Sequence, residues 1–248
     1  MSARNRPDAV MVFGTCLIDL VDPEAGLAAM RLIRREGIRV RFPQAQTCCG
    51  QPAYNSGYRA DARRVARQQL AALAGDEPVV VPSASCAGML RHHYPRLFAG
   101  TADQALAEAL AERVVELCDF LHRVLAVRLV DQGPPVTVAL HQSCSARREM
   151  AVAPAAAALL RGLSQVTLVE PDHAHECCGF GGTFAVKEPE ISAAMALDKA
   201  QAVAATGAEL LVSQDCGCLV NLAGTAQKAG LGFQAQHIAD FLWQRTQP

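Results

Sequence analysis

Short β-branched runs alternate with longer amphipathic stretches along this chain. AVMVFG (9–14), IRVRF (38–42) and PVVV (78–81) have the apolar, branched character of buried strands. Between them, PEAGLAAMRLIRREG (23–37) and YRADARRVARQQLAALAG (58–75) space apolar residues by three and four, as helices do; the first opens on Pro-Glu and closes on Gly. Strand, helix, strand, helix, strand predicts a parallel α/β unit. The order then begins again. VTVAL (136–140), QVTLVE (165–170) and ELLVSQ (209–214) read as strands, and EPEISAAMALDKAQAVAATG (188–207) as a helix. A fourth landmark, VVELCDFL at 114–121, returns as AQHIADFL at 235–242, so that four landmarks recur in order at offsets of 121 to 132 residues. The expected fold is α/β, with two pseudo-symmetric doubly wound parallel-sheet halves from an internal repeat. The halves are expected over 1–130 and 136–248, joined at DQGPP (131–135), whose turn residues suit a linker.

The repeat carries cysteines at fixed places. Cys16 follows the first strand, Cys48 and Cys49 the second strand and its loop, and Cys86 the third; Cys144, Cys177, Cys178 and Cys218 do the same in the second half. Intervening residues number 31 and 32 before the two vicinal pairs and 36 and 39 after them. Carboxyl ends of parallel strands lie on one side of a sheet, in the crevice where open α/β sheets bind ligands. Each half is therefore expected to gather four thiols at one point. Adjacent cysteines do not readily bond to each other, because disulfide geometry needs separated Cβ vectors.

Composition narrows the chemistry. The chain has 248 residues, 51% hydrophobic, with a net charge of −1 and ten cysteines. Near-neutral charge offers no basic face for nucleic acid. No apolar run is long enough to span a bilayer, and the opening MSARNRPDAVMVFG has too short an apolar stretch for a secretory signal; a soluble cytoplasmic protein is expected. In a reducing compartment, so many patterned thiols point to metal or cluster binding rather than disulfides. Four thiolates suit zinc or an iron–sulfur cluster. No CxxC knuckle of the structural-zinc kind occurs, and long spacing with a vicinal pair favours the larger cluster. Gly179, Gly181 and Gly182 in GFGG would let backbone N–H groups approach the cluster sulfurs.

CCGQPAYNSGY, CCGFGGTFAVKEPEISAAM and SQDCGCLVNLAG resemble the CCG-domain (cysteine-rich domain) iron–sulfur proteins over nearly the whole chain, from Phe13 to Leu242. That group includes iron–sulfur subunits of L-lactate, glycolate and glycerol-3-phosphate oxidising systems and of heterodisulfide reductase. The resemblance implies metal ligation by Cys16, Cys48, Cys49 and Cys86 in one motif and by Cys144, Cys177, Cys178 and Cys218 in the other. Ser83 and Asp215 stand where the fullest family pattern has the first cysteine of a closing CxxC. Four thiols per motif favour up to two [4Fe–4S] clusters over a larger non-cubane one, with zinc as the alternative. Cys216 is a second candidate for the place given to Cys218. Cys118 is matched by Ala239 in the repeat and is expected in the core.

His141, His173 and His175 flank the second motif, where the first has Phe13, Ala45 and Thr47. A histidine there could ligate or tune one cluster, but ordinary loop histidines bonded to backbone or solvent are the favoured expectation. The chain has no GxGxxG after its first strand, no GKS or GKT, and no CxxCxxCxxxCP run. It is therefore expected to pass electrons to another subunit and not to be active alone. The resemblance implies an electron-transfer subunit of an L-lactate-oxidising complex, with a ferredoxin-like iron–sulfur subunit and a third subunit as partners. A heterodisulfide-reductase-like thiol–disulfide oxidoreductase subunit and a zinc-binding structural partner protein are the alternatives.

Overall fold

In the computed structural model, which describes residues 6–247, the strand-like runs form two four-stranded sheets in which every neighbouring pair is parallel. Residues 1–5 and 248, the outer ends of the two expected halves, lie outside the described residues. The first sheet comprises β1 (Ala9–Val12), β2 (Arg39–Arg41), β3 (Val79–Val81) and β4 (Val114–Glu116), in the order β2-β1-β3-β4. The second comprises β5 (Val136–His141), β6 (Val166–Val169), β7 (Leu210–Ser213) and β8 (Gln234–His237), in the order β6-β5-β7-β8. The chain divides into two compact units between Val127 and Arg128, one sheet in each.

The central strands of the first sheet, β1 and β3, are apolar throughout, as strands covered on both faces require. Val10, Met11 and Val12 of β1 and all of β3 are buried, as expected of parallel strands with no solvent face. The edge strand β2 instead exposes Arg39 and Arg41, charges that discourage a further strand from adding there. The helix Pro23–Arg35 buries Ala25, Ala28, Ala29, Leu32 and Ile33, the three–four spacing read from the sequence. It starts where Asp22 accepts from the Ala25 N–H at 3.3 Å and Pro23 takes the first turn. The other expected helices run over Arg59–Ala72 and Pro189–Ala205.

Both sheets reverse their winding at one place, between β1 and β3 and between β5 and β7. At such a switch point consecutive connections leave in opposite directions and open a crevice beyond the carboxyl ends of the two strands. Cys16 and Cys86 flank this crevice in the first half, Cys144 and Cys218 in the second.

Two features were not foreseen. The fourth landmark is itself a strand in each half, β4 and β8, each running directly into a helix. After β3 the helix Ala84–Gly88 widens over Met89–His93 before closing again as Tyr94–Phe98, whereas the second half has one regular helix, Cys216–Ala229. Pro95 accounts for the difference: it has no N–H to donate back along the helix, and a wider turn accommodates the loss. The stretch expected to join the halves is tied into the second unit. Both oxygens of the enclosed Asp131 carboxylate accept from Arg245, from Nε and Nη2, at 2.8 Å each, and Arg245 Nη1 donates to the Pro134 carbonyl at 2.5 Å.

Candidate metal centres

Each crevice collects its four thiols from three strand ends. In the first half Cys16 Sγ lies 3.7 Å from Cys48 Sγ, and Cys49 Sγ lies 3.5 Å from Cys86 Sγ. The vicinal pair bridges these contacts, since Cys48 and Cys49 also interact directly. Cys16 and Cys48 are half-buried, Cys49 and Cys86 buried. The chain enters Cys16 through Thr15, whose φ of 51° and ψ of 138° are unusual for a residue with a Cβ. Strain of this kind costs about 1–3 kcal/mol and collects at binding sites. The CCG loop is held from beneath. Gln69 on the helix Arg59–Ala72 accepts from the Thr47 N–H at 3.1 Å and donates to the Thr47 hydroxyl at 2.5 Å, while Tyr94 Oη donates to the Cys49 carbonyl at 2.9 Å.

The second half repeats the arrangement with different fastenings. Cys144 contacts Cys177, Cys177 contacts Cys178, and Cys178 contacts Cys218. Asn221 Nδ2 donates to the Cys178 carbonyl at 2.8 Å, doing for the second pair what Tyr94 does for the first. Ser192 Oγ donates to the Gly179 carbonyl at 2.8 Å, and the buried Lys199 ammonium donates to the His173 carbonyl at 2.6 Å. Burial holds Lys199 below the ordinary lysine range, while the neighbouring Glu176 and cysteines favour its charge. The Ser143 hydroxyl donates to the Asp215 carboxylate, joining the strand ends that carry Cys144 and Cys218.

Close packing makes the thiols unequal. Cys48 accepts from Cys16 and Cys49 and from the Gly50 N–H, which holds it well below the usual thiol range. Cys177 is lowered in the same way by Cys144, Cys178 and the Gly179 N–H, which lies 3.4 Å from its sulfur. Their donors are pushed up: Cys16 by its bond to Cys48 and by burial, Cys144 by its bond to Cys177 and by burial. Cys218 is lowered to about 7, chiefly by the Cys178 thiol, with His141 adding to the effect against the cost of burial. Cys48 and Cys177 are therefore the thiols of each site most readily converted to thiolate, the form that binds metal.

The eight motif cysteines come together as two sets of four, one in each unit. Cys218, rather than Cys216, is the residue placed against Cys178 and His141, although both are buried on the first turn of the helix Cys216–Ala229. Cys118 is fully buried in the short helix Leu117–Asp119. Of the GFGG backbone, the N–H groups of Gly179 and Phe180 reach the thiols, while Gly181 and Gly182, both at positive φ, shape the turn into the helix Phe184–Lys187. His173 and His175 fit the ordinary loop histidine; His173 is exposed and pairs with Glu176. His141 does not. It is the last residue of β5, only 1% exposed, with its ligand nitrogen within 4.8 Å of the sulfurs of Cys178 and Cys218. Tyr94, Gln69, Asn221 and Lys199 lie in helices remote in sequence from the thiols they support, and only their polarity on otherwise apolar helix faces could have signalled them.

Comparison with known proteins agrees with this geometry. The model of the CCG cysteine-rich domain matches twice, over residues 10–91 and 138–223, spanning all four cysteines of each set. The chain belongs to the CCG cysteine-rich domain family. It is similar to lactate utilization protein A of Geobacillus kaustophilus strain HTA426, 43% identical over 96% of this chain and 99% of that one. It is also similar to lactate utilization protein A of Macrococcus caseolyticus strain JCSC5402, 39% identical over 94% and 95%, and to lactate utilization protein A 2 of Bacillus cereus strain Q1, 39% identical over 94% and 97%. A hypothetical protein from Helicobacter pylori has the same fold at 11% identity and a TM-score of 0.64, covering 98% of this chain; the CCG-family chain spans half of that protein's length. Clustered thiols of this kind suit metal binding. Among the described residues, no helix is long and apolar enough to cross a membrane.

Proposed function

We propose that the protein is an iron–sulfur electron-transfer subunit of an L-lactate-oxidising system, with one Cys-ligated [4Fe–4S] cluster in each half. The observation carrying this reading is the convergence of four thiols at each sheet's switch point, with no disulfide among the ten cysteines. Cys16, Cys48, Cys49 and Cys86 would hold one cluster, and Cys144, Cys177, Cys178 and Cys218 the other. When bound, such a cluster accepts and releases single electrons. The protein residues hold the ligands in place. Gly50, Gly179 and Phe180 present N–H groups to cysteine sulfur, and hydrogen bonds to sulfur tune potential. The Lys199 ammonium and the Arg148 guanidinium offset negative charge at the second site.

Lactate enters through the relatives named for lactate utilization, which match this chain over nearly its full length. In this reading the chain works with a ferredoxin-like iron–sulfur subunit and a third subunit, and does not oxidise lactate alone. The test is anaerobic reduction. Mixed with its partner subunits and L-lactate, the protein should lose visible absorbance, and without the partners it should not. Bleaching that requires a disulfide or thiol couple instead, with lactate inert, would move the protein to the heterodisulfide-reductase type of reaction. The His141, Cys178 and Cys218 donors also suit zinc, which takes mixed nitrogen and sulfur ligands. A colourless, oxygen-protected protein carrying stoichiometric zinc would favour that second reading.

A further inference from the structure

We propose that the His141 imidazole is a ligand of the metal-bearing group in the second half, so that this centre has nitrogen and sulfur donors while the first has sulfur alone. The inference rests on the metal-binding part of the function proposed above and not on which metal is bound.

Four observations carry it. First, His141 is 1% exposed and, among the described residues, no oxygen or nitrogen pairs with either ring nitrogen; the group the ring meets is the Cys218 thiol. An imidazole always presents polar nitrogens, and leaving one buried and unsatisfied costs about 1–3 kcal/mol. Second, the backbone that carries the ring is fixed in place. His141 ends β5 in register with Ser213 of β7, so its backbone belongs to the two central strands that form the switch point. Third, the ring faces metal-ligand chemistry: His141, Cys178 and Cys218 each offer a ligand atom, and these atoms lie within 4.8 Å of one another in a fully buried cluster. Fourth, the fold does not require a histidine here. Three residues before Cys16, as His141 is three before Cys144, the first half has the fully buried Phe13. An apolar ring fills that place where the neighbouring site is built of thiols alone.

The consequence is functional asymmetry between two otherwise matched centres. Imidazole is neutral where thiolate is anionic, and a histidine in place of a cysteine ligand raises the potential of an iron–sulfur centre. With an iron–sulfur group bound and His141 in place of one thiolate, the second-half centre therefore has the higher potential.

The test uses the full-length, oxygen-protected protein grown with nitrogen-15 histidine. Pulsed electron paramagnetic resonance of the reduced centres should show a directly bonded nitrogen whose coupling changes with the isotope. His141→Phe, which copies the first half, should abolish that coupling, keep the metal of the first half and lower one of two measured potentials. Should that variant fail to fold, the isotope comparison in the unaltered protein still decides. Iron-loaded protein with a reduced-state signal and no isotope-sensitive nitrogen would overturn the proposal while leaving the iron–sulfur reading intact. Protein without iron would overturn that reading instead, and cadmium-113 loading then decides the ligand question. Two resonances are expected, one in the all-thiolate range and one displaced by nitrogen, the latter moving alone in His141→Phe; two all-thiolate resonances would refute nitrogen ligation.

Discussion

Replacing Gly179 with alanine tests how the second CCG loop is held, and Gly50→Ala provides a matched control in the first half. Both glycines follow a vicinal pair and both sit in the left-handed region, at φ of 81° and 83°. Forcing a residue with a Cβ into that region costs roughly 1–2 kcal/mol at either position. The surroundings then separate them. A Cβ on Gly50 would meet the Ala62 carbonyl oxygen at 3.3 Å, a tight contact that a small shift relieves. On Gly179 it would meet the Ser192 carbonyl oxygen at 2.5 Å and Met195 Cβ at 3.2 Å, both on the helix Pro189–Ala205. That helix cannot yield locally, so the loop must move and give up the bond from Ser192 Oγ, adding about 1–3 kcal/mol of overpacking. Gly179→Ala should therefore cost roughly 2–5 kcal/mol and Gly50→Ala roughly 1–2 kcal/mol. Displacing Gly179 also moves Cys177 and Cys178, so Gly179→Ala should lose the second-half metal while Gly50→Ala keeps both. Anaerobic urea unfolding and metal analysis of each variant provide the readouts. If Gly179→Ala kept its full metal complement and unfolded within about 1 kcal/mol of the parent, the proposed loop packing would be wrong.

Arg245→Ala should destabilise the second unit by about 3–5 kcal/mol in urea unfolding, because it leaves an enclosed carboxylate without its cation. Burial alone would raise the Asp131 pKa, but the bonds from Arg245 and from backbone N–H groups hold it below the ordinary range. Its stabilisation is therefore complete above the unfolded value near 4 and disappears as pH falls through the lower folded one. Urea midpoints should show this acid-induced loss in the parent and a smaller loss in Arg245→Ala. Asn221→Leu leaves the Cys178 carbonyl without its donor; it should cost about 1–3 kcal/mol and reduce metal only in the second half, whereas Tyr94→Phe should affect only the first. In metal-free protein at mildly acidic pH, iodoacetamide should label Cys48 and Cys177 before any other thiol, as peptide mass analysis would show; uniform labelling would contradict the lowered thiolates.

The repeat was legible because both halves follow the same physics. A strand buried on both faces has to be an unbroken apolar run, and VMV, VVV and LLV therefore stand out against the alanine-rich helices between them. Chain direction then required the thiols to converge, because residues just past parallel strand ends share one edge. β4 and β8 were harder to foresee, since VVE and QAQH are short, carry polar residues and turn at once into helices. The loop supports were hidden for another reason. Gln69 and Lys199 satisfy an amide and a carbonyl 22 and 26 residues away, and no local period encodes such a contact. His141 was visible as a departure from the repeat, yet only its burial against Cys218, with no oxygen or nitrogen partner among the described residues, distinguishes it from a loop histidine.

The central claim is that each half grips a cluster through its own cysteines. The most direct measurement is iron and acid-labile sulfide in oxygen-protected protein, compared with Cys48→Ser/Cys49→Ser, Cys177→Ser/Cys178→Ser and all four changes together. Equal iron and sulfide, roughly halved by either pair and abolished by the four, is the predicted result. Protein that is colourless and free of iron, or that keeps its full iron after both pairs are removed, would contradict the account.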